Sequence, residues 1–201
     1  MAVTFQNSNL YAGRAYCFHT QPVQRDVMGY KLSGIKAGDV VPQGTPLVAN
    51  ADNKTATIAK YAKVVKKVST SKFIVETLNF LAVGDTIFCS GESSPTLSTI
   101  KSIDVATREI TLAAANTQLD AGKIMVEGVS EDSAVKAKHT PNRIVARTET
   151  MQTVNQTISA TWQAVAIQDV LEYPVEWLNS ETFPGTTLLA GCPHIVFVKQ
   201  G

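Results

Sequence analysis

Apolar and polar residues alternate along much of the chain, and turn-forming residues interrupt the alternation at short intervals. STIKSIDVATREITLAAA, residues 98–115, shows this most plainly. Ile100 and Ile103 share one run, Asp104-Val105-Ala106-Thr107-Arg108 can turn, and Ile110 and Leu112 alternate in the next run. That pattern predicts a hairpin with a medium-length loop. Further strands are expected over Lys72–Glu76, Thr86–Cys89 and Lys123–Glu127. From 158 to 166, Ile158, Ala160, Trp162, Ala164 and Ala166 alternate with Ser159, Thr161 and Gln163. One long, half-buried strand is predicted there, with Trp162 on its inward side.

ATIAKYAKVVKKV, residues 56–68, is ambiguous by period. Ile58, Tyr61, Ala62, Val65 and Val68 fall at helical spacing, with Lys60, Lys63, Lys66 and Lys67 opposite. The β-branched Val64-Val65 pair and the short Ser69-Thr70-Ser71 link to the next strand favour a strand instead.

A short pattern recurs in GIKAGDVVP (34–42), FLAVGDTIF (80–88) and QLDAGKIMV (118–126). In each, an apolar residue precedes Gly38, Gly84 or Gly122 by three positions, a charged residue follows the glycine, and a strand begins. The apolar residue can enter the core while the glycine allows a turn that β-branched residues resist. Asp39 and Asp85 have calcium-ligand chemistry, but Lys123 stands at the same place in the third copy and no flanking acids complete a cage. The copies are unevenly spaced, which does not fit a solenoid.

These patterns predict an all-β protein of antiparallel hairpins, with a barrel- or sandwich-like domain and a smaller β-rich C-terminal part. Residues 1–50 read as an irregular N-terminal arm and first turn, and 51–130 as the barrel-like domain. Residues 131–201 read as the β-rich C-terminal part, able to pack with 1–50. The polar segment SEDSAVKAKHTPN (130–142) reads as the join.

Composition narrows function mainly by exclusion. The 201 residues carry 18 Lys and Arg against 17 Asp and Glu, a net charge of +1. That balance offers no general attraction to nucleic acid or to an acidic membrane. Charged residues make up 17%, below the roughly 25% of average soluble domains, which suits a protein that covers part of its surface with neighbours. The N-terminus lacks the basic start and apolar run of a signal peptide. Nor does any apolar run approach the ~18 residues of a membrane-spanning helix. Cys17, Cys89 and Cys192 are odd in number and far apart, unlike a secreted disulfide framework, so folding in a reducing cytoplasm is expected.

Candidate chemistry is sparse. Cys17 with His19 and Cys192 with His194 form two Cys-x-His pairs, each able to share a strand face. Together they could make a Cys2His2 zinc site, although zinc modules usually separate paired ligands by two to four residues. Ordinary packing is the competing expectation, and no cofactor or metal is assigned. The lysines between 60 and 67 read as a solvated face rather than a phosphate grip, because few aromatics accompany them. Pro174 is expected to end a strand and expose Tyr173 and Trp177 as interface aromatics. No GxSxG elbow, phosphate loop or HExxH helix is present, and no carboxylate pair stands out, so the chain does not read as an enzyme.

Taken in order, several stretches resemble the head fiber or head decoration proteins of tailed bacteriophages and prophages, particularly those of gut Bacteroides-type hosts. They are IKAGDVVPQGTPLVA, NFLAVGDTI, STIKSIDVATREITLAAANTQLDAGKIM, HTPNRIV, ISATWQAVAIQDVLEYPV and the terminal IVFVK. The resemblance runs from about residue 35 to the end and departs at Arg143, where the family pattern has glycine. It implies a non-enzymatic structural protein on the outer surface of the virion, made in the host bacterial cytoplasm and bound to the major capsid protein. It further implies a homo-oligomer, with a trimer favoured, and no nucleic-acid or membrane partner. A host surface glycan is a further candidate partner, and a carbohydrate- or cell-surface-binding β module is the alternative reading. Residues 1–34 match nothing in the family. With Phe5, Tyr11, Tyr16 and Phe18 they read as an arm that docks on the capsid.

Overall fold

A computed structural model describes residues 28–154, 156–180 and 186–198. Its first strands are β1 (Met28–Leu32), β2 (Val40–Val41), β3 (Pro46–Asn50) and β4 (Thr55–Ile58). Then come β5 (Tyr61–Ser69), β6 (Lys72–Val75), β7 (Thr86–Cys89), β8 (Ser98–Asp104), β9 (Glu109–Leu112), β10 (Ile124–Glu131) and β11 (Ala134–Ala137). The C-terminal third holds β12 (Arg143–Val145), β13 (Glu149–Thr150), β14 (Thr157–Thr161), β15 (Ala164–Ile167), β16 (Leu178–Ser180), β17 (Thr186–Leu189) and β18 (Cys192–Val198). Helix is confined, among the described residues, to α1 (Gln168–Leu171) and a 3-10 turn at Val175–Trp177. The protein is all-β.

The strands form two closed rings, a flanking four-stranded sheet and the short antiparallel pair β2–β13. The first ring runs β1-β14-β12-β3-β4 and closes through a short parallel contact of β1 with β4, Lys31 opposite Thr55 and Leu32 opposite Ala56. Tyr30, Leu32, Leu47, Ile58, Val145 and Ile158 fill it. The second sheet, β11-β10-β5-β6-β9-β8-β7, also pairs β7 with β10, so six of its strands close on themselves and β11 hangs outside. Phe73, Val75, Ile87, Ile100, Ile110 and Met125 fill that ring. Closure satisfies strand edges that would otherwise invite pairing with another chain. A four-stranded sheet, β15-β18-β17-β16, covers a third core between and beside the rings.

The first ring is built from both ends of the chain, β1, β3 and β4 with β12 and β14. Residues 28–32 are therefore a barrel strand and not part of an arm. The second sheet starts at Tyr61 and runs to Ala137, because β4 folds back on β3 and β11 folds back on β10. The polar stretch 130–142, expected as a simple join, thus contains a hairpin. Asp132 and Ser133, with φ of 51° and 65°, make its turn.

Residues 56–68 form the end of β4, a two-residue link at Ala59-Lys60 and most of β5, with no helix, and their helix-like spacing has a physical cause. Tyr61 and the adjacent Ala62 are both buried, but Tyr61 faces the core under the C-terminal sheet and Ala62 faces the second ring. A bulge between Val64 and Lys66 then shifts the alternation by one residue. The single long strand expected over 158–166 is instead two. β14 pairs within the first ring and β15 pairs with β18. At the break, Gln163 N–H donates to Thr161 Oγ1 (3.2 Å), and that hydroxyl donates to the Gln163 carbonyl (2.9 Å). Trp162 falls in the break, only partly buried against the third core.

Candidate functional site

The recurring glycine pattern is a structural device of uniform build. Gly38, Gly84 and Gly122 all have positive φ, 93°, 93° and 83°. In each copy the residue after glycine donates its N–H three residues back: Asp39 to Lys36, Asp85 to Ala82 and Lys123 to Asp120, at 3.1–3.2 Å. Each glycine N–H reaches another strand or loop, at Met151, Ile100 and Val64 respectively. The residues flanking glycine at three positions either side, Ile35 and Val41, Leu81 and Ile87, Leu119 and Met125, are all core. A fourth copy went unread in the sequence. In VPQGTPL, Gly44 has φ 80°, Thr45 donates to the Pro42 carbonyl (3.1 Å), and Val41 and Leu47 are fully buried. Its signal is the same apolar-x-x-Gly-x-x-apolar spacing, hidden because the residue after glycine is uncharged.

The two aspartates after glycine cap their own turns. Asp39 Oδ2 accepts from Lys36 N–H (2.7 Å) and Asp85 Oδ2 from Ala82 N–H (2.8 Å). No group of three or more His, Cys, Asp or Glu side chains is arranged to hold a metal among the described residues.

Asp85 differs from Asp39 in its neighbours. Lys60, in the link between the rings, places Nζ 2.9 and 2.7 Å from the two Asp85 oxygens. Glu127 on β10 lies 3.9 Å from the same Nζ and is only 3% exposed. Lys138 Nζ donates to Glu127 Oε1 (2.7 Å), and Lys138 N–H donates to the Glu127 carbonyl (2.9 Å). Among the described residues, Glu127 Oε2 is buried without a hydrogen-bond partner. The Glu127 carboxylate holds Lys138 above its ordinary value, whereas burial pushes the neighbouring His139 below its own. A buried carboxylate is costly unless paired, and here Lys60 and Lys138 supply the cations beside Glu127. The lysine row is therefore mostly neutralised: Lys63 bonds both Glu172 oxygens at 2.6 Å and Lys67 lies 3.5 Å from Asp120. Lys66 is the exposed one of the four that forms no salt bridge among the described residues.

Tyr173 and Trp177 are not surface anchors. They are 4% and 1% exposed, at the junction of both rings with the C-terminal sheet. Tyr61 meets Tyr173 and Trp177 edge-on at 5.7 and 5.4 Å, and Phe197 meets Tyr173 at 5.2 Å. Pro174 does not expose this segment, because the 3-10 turn after it folds Trp177 inward. Glu176 anchors that turn to the second ring, accepting from Ser90 Oγ (2.5 Å) and Gly91 N–H (2.8 Å). A glycan platform made of these two rings is excluded by their burial.

Of the zinc candidates, Cys17 and His19 lie outside the described residues, as do Phe5 and Tyr11. Cys192 and His194 do not share a face. A bulge opposite Leu188-Leu189 breaks the alternation, so Cys192 is buried and donates to the Trp162 carbonyl (2.9 Å), while His194 is exposed. His194 packs edge-on against Trp162 at 4.6 Å. Cys89 is a buried free thiol, and burial together with Glu92 pushes its pKa up to about 11. A thiol so perturbed is a packing group and not a nucleophile at neutral pH.

Comparison of the chain with protein-family models, curated proteins and solved structures finds no match.

Proposed function

We propose that the chain is a non-enzymatic structural protein of a bacteriophage virion, seated on the outer face of the capsid as a head fiber or decoration protein. The observation that carries this reading is the ordered resemblance from IKAGDVVPQGTPLVA to IVFVK. Within it, the glycine segments each start a strand from a turn of one build, and those at Gly44, Gly84 and Gly122 lead into ring strands. The way the chain is tied together is consistent with the role. Its first ring needs strands from the C-terminal third, and polar contacts such as Lys63–Glu172, Ser90–Glu176 and Tyr173–Gly44 join the parts of the molecule to one another. A shell protein exposed to proteases benefits from such interlocking, since cleavage follows local opening.

The partner in this reading is the major capsid protein, and the working form is a homo-oligomer, a trimer. The test uses the purified full chain and phage capsids assembled without it. Saturable co-sedimentation and a trimer mass by light scattering are expected. A monomer that fails to bind such capsids overturns the reading. Residues 1–27 lie outside the described residues, and β1 starts at Met28. Removal of 1–27, rather than 1–34, is the deletion that tests the docking arm, with loss of capsid binding expected.

A further inference from the structure

We propose that Lys60 and Asp85 condense into an intramolecular amide, with Glu127 as the proton relay. Three observations single out this pair. Lys60 Nζ sits 2.9 and 2.7 Å from the two Asp85 oxygens, so the amine faces the carboxyl group it would join. The pair is largely enclosed, with side chains 23% and 14% exposed. Glu127 Oε1, which also accepts from Lys138 Nζ, lies 3.9 Å from the same nitrogen on a side chain 3% exposed, and Glu127 Oε2 is buried with no hydrogen-bond partner among the described residues. A second bidentate pair, Lys63 with Glu172, is 34% and 41% exposed, and among the described residues no buried third carboxylate is paired with it.

The step balances without any added reagent. Lys60 Nζ gives a proton to Glu127, and the freed lone pair forms a C–N bond to Asp85 Cγ. The C–O bond to one Asp85 oxygen breaks, and that oxygen leaves as water. It carries the proton from Glu127 and a second proton from the nitrogen. Glu127 ends as the carboxylate it began as, and an ion pair has become a neutral amide. Amide formation from an amine and a carboxylate is unfavourable between free molecules in water. Held partners reach effective concentrations of about 10⁵–10⁸ M when their reacting atoms are about 3–3.5 Å apart and their orbitals are aligned. Asp85 is held for this by its own turn, through the bond from Ala82 N–H. The product ties the link between the two rings to the Gly84 turn covalently. The inference does not depend on the capsid role.

Intact-mass measurement of the purified full chain tests it. After prolonged incubation at neutral pH the chain is expected one water lighter than its sequence, and digestion is expected to yield a branched peptide joining Lys60 to Asp85. Lys60→Arg keeps the ion pair but cannot form the link, and full sequence mass is expected. Glu127→Gln, which keeps the shape of the relay but not its basicity, should also stay at full mass. A wild-type chain at full mass overturns the proposal. So does a water loss that persists in Lys60→Arg, or a link that forms undiminished in Glu127→Gln.

Discussion

The Tyr173 hydroxyl donates to the Gly44 carbonyl inside the core, so the C-terminal segment closes a turn of the N-terminal ring across 129 positions of sequence. Tyr61 makes the matching bond from the second ring, its hydroxyl donating to the Leu171 carbonyl at 3.1 Å. Three parts of the fold therefore meet at one aromatic junction, and their relative placement depends on hydroxyls as well as on ring packing.

Tyr173→Phe keeps the ring against Tyr61, Trp177 and Phe197 but leaves the Gly44 carbonyl without this donor. A buried acceptor left unpaired costs about 1–3 kcal/mol. The expected result is a lower urea midpoint with an unchanged slope. Trp177→Ala should cost more, about 3–5 kcal/mol, because it empties a site in the same core. A midpoint unmoved by Tyr173→Phe would show that the hydroxyl does not hold the junction.

The glycine turns separate two kinds of cost. An added Cβ at Gly38, Gly84 or Gly122 meets nothing within 4 Å, so alanine there is opposed by positive φ alone. About 1–2 kcal/mol is expected for each, since L-residues resist that conformation by this amount. Gly128 and Gly191 are different. A Cβ at Gly128 would lie 2.5 Å from the Phe88 ring, and one at Gly191 would lie 2.3 Å from the Pro141 carbonyl oxygen. Alanine at Gly191 should cost more than at any turn glycine, because backbone cannot move aside as a side chain can. Urea midpoints of the five variants give the order, and a turn variant less stable than Gly191→Ala would refute it.

Local structure was legible wherever a strand had one dry face and an ordinary turn. The β8–β9 hairpin formed as its alternation implied, with Asp104 accepting from Ala106 N–H (2.9 Å) to set the turn. The glycine turns were legible for the same reason, since the apolar spacing and the glycine are both local. What depended on tertiary contact was not. Pairs such as Tyr61-Ala62 bury both faces of one strand and so imitate a helix. Trp162 keeps the alternation of a continuous strand, although the chain changes sheets there. The burial of Tyr173 and Trp177 comes from a 3-10 turn that Pro174 permits but does not announce. Lys60, Asp85 and Glu127 are 25 and 42 residues apart in order along the chain, and only the closing of the second ring brings them together.

The β10–β11 hairpin was missed because its turn residues are unusual for the conformation. Asp132 and Ser133 both have positive φ, the geometry that favours Asn-Gly in two-residue hairpin loops. Replacing Asp132-Ser133 by Asn-Gly should stabilise the chain by about 1 kcal/mol, chiefly by relieving Ser133 of a left-handed conformation. Hydrogen exchange should show slower opening of the bonds between Gly128–Glu131 and Ala134–Ala137, the residues that pair in this hairpin. Unchanged exchange would mean that the turn is not what limits its opening.

His139 gives the fold an acid-sensitive point. Burial lowers its pKa from 6.5, Glu127 partly offsets this, and Lys138 and Lys60 add to the lowering. Its folded value is thus below its unfolded one, so the unfolded chain binds the proton first as the solution is acidified. The contribution to stability is complete above 6.5 and is lost as pH falls from there towards the folded value. Asp104 and Asp120, both held below the ordinary carboxylate value by hydrogen bonds, lose their contributions at still lower pH. Urea midpoints taken between about pH 7.5 and pH 5, where histidine is the usual titrating side chain, should fall in the wild type. In His139→Gln the decline over that range should be shallower. If His139→Gln keeps the full slope, the acid sensitivity belongs to another group and the Glu127 cluster is not its source.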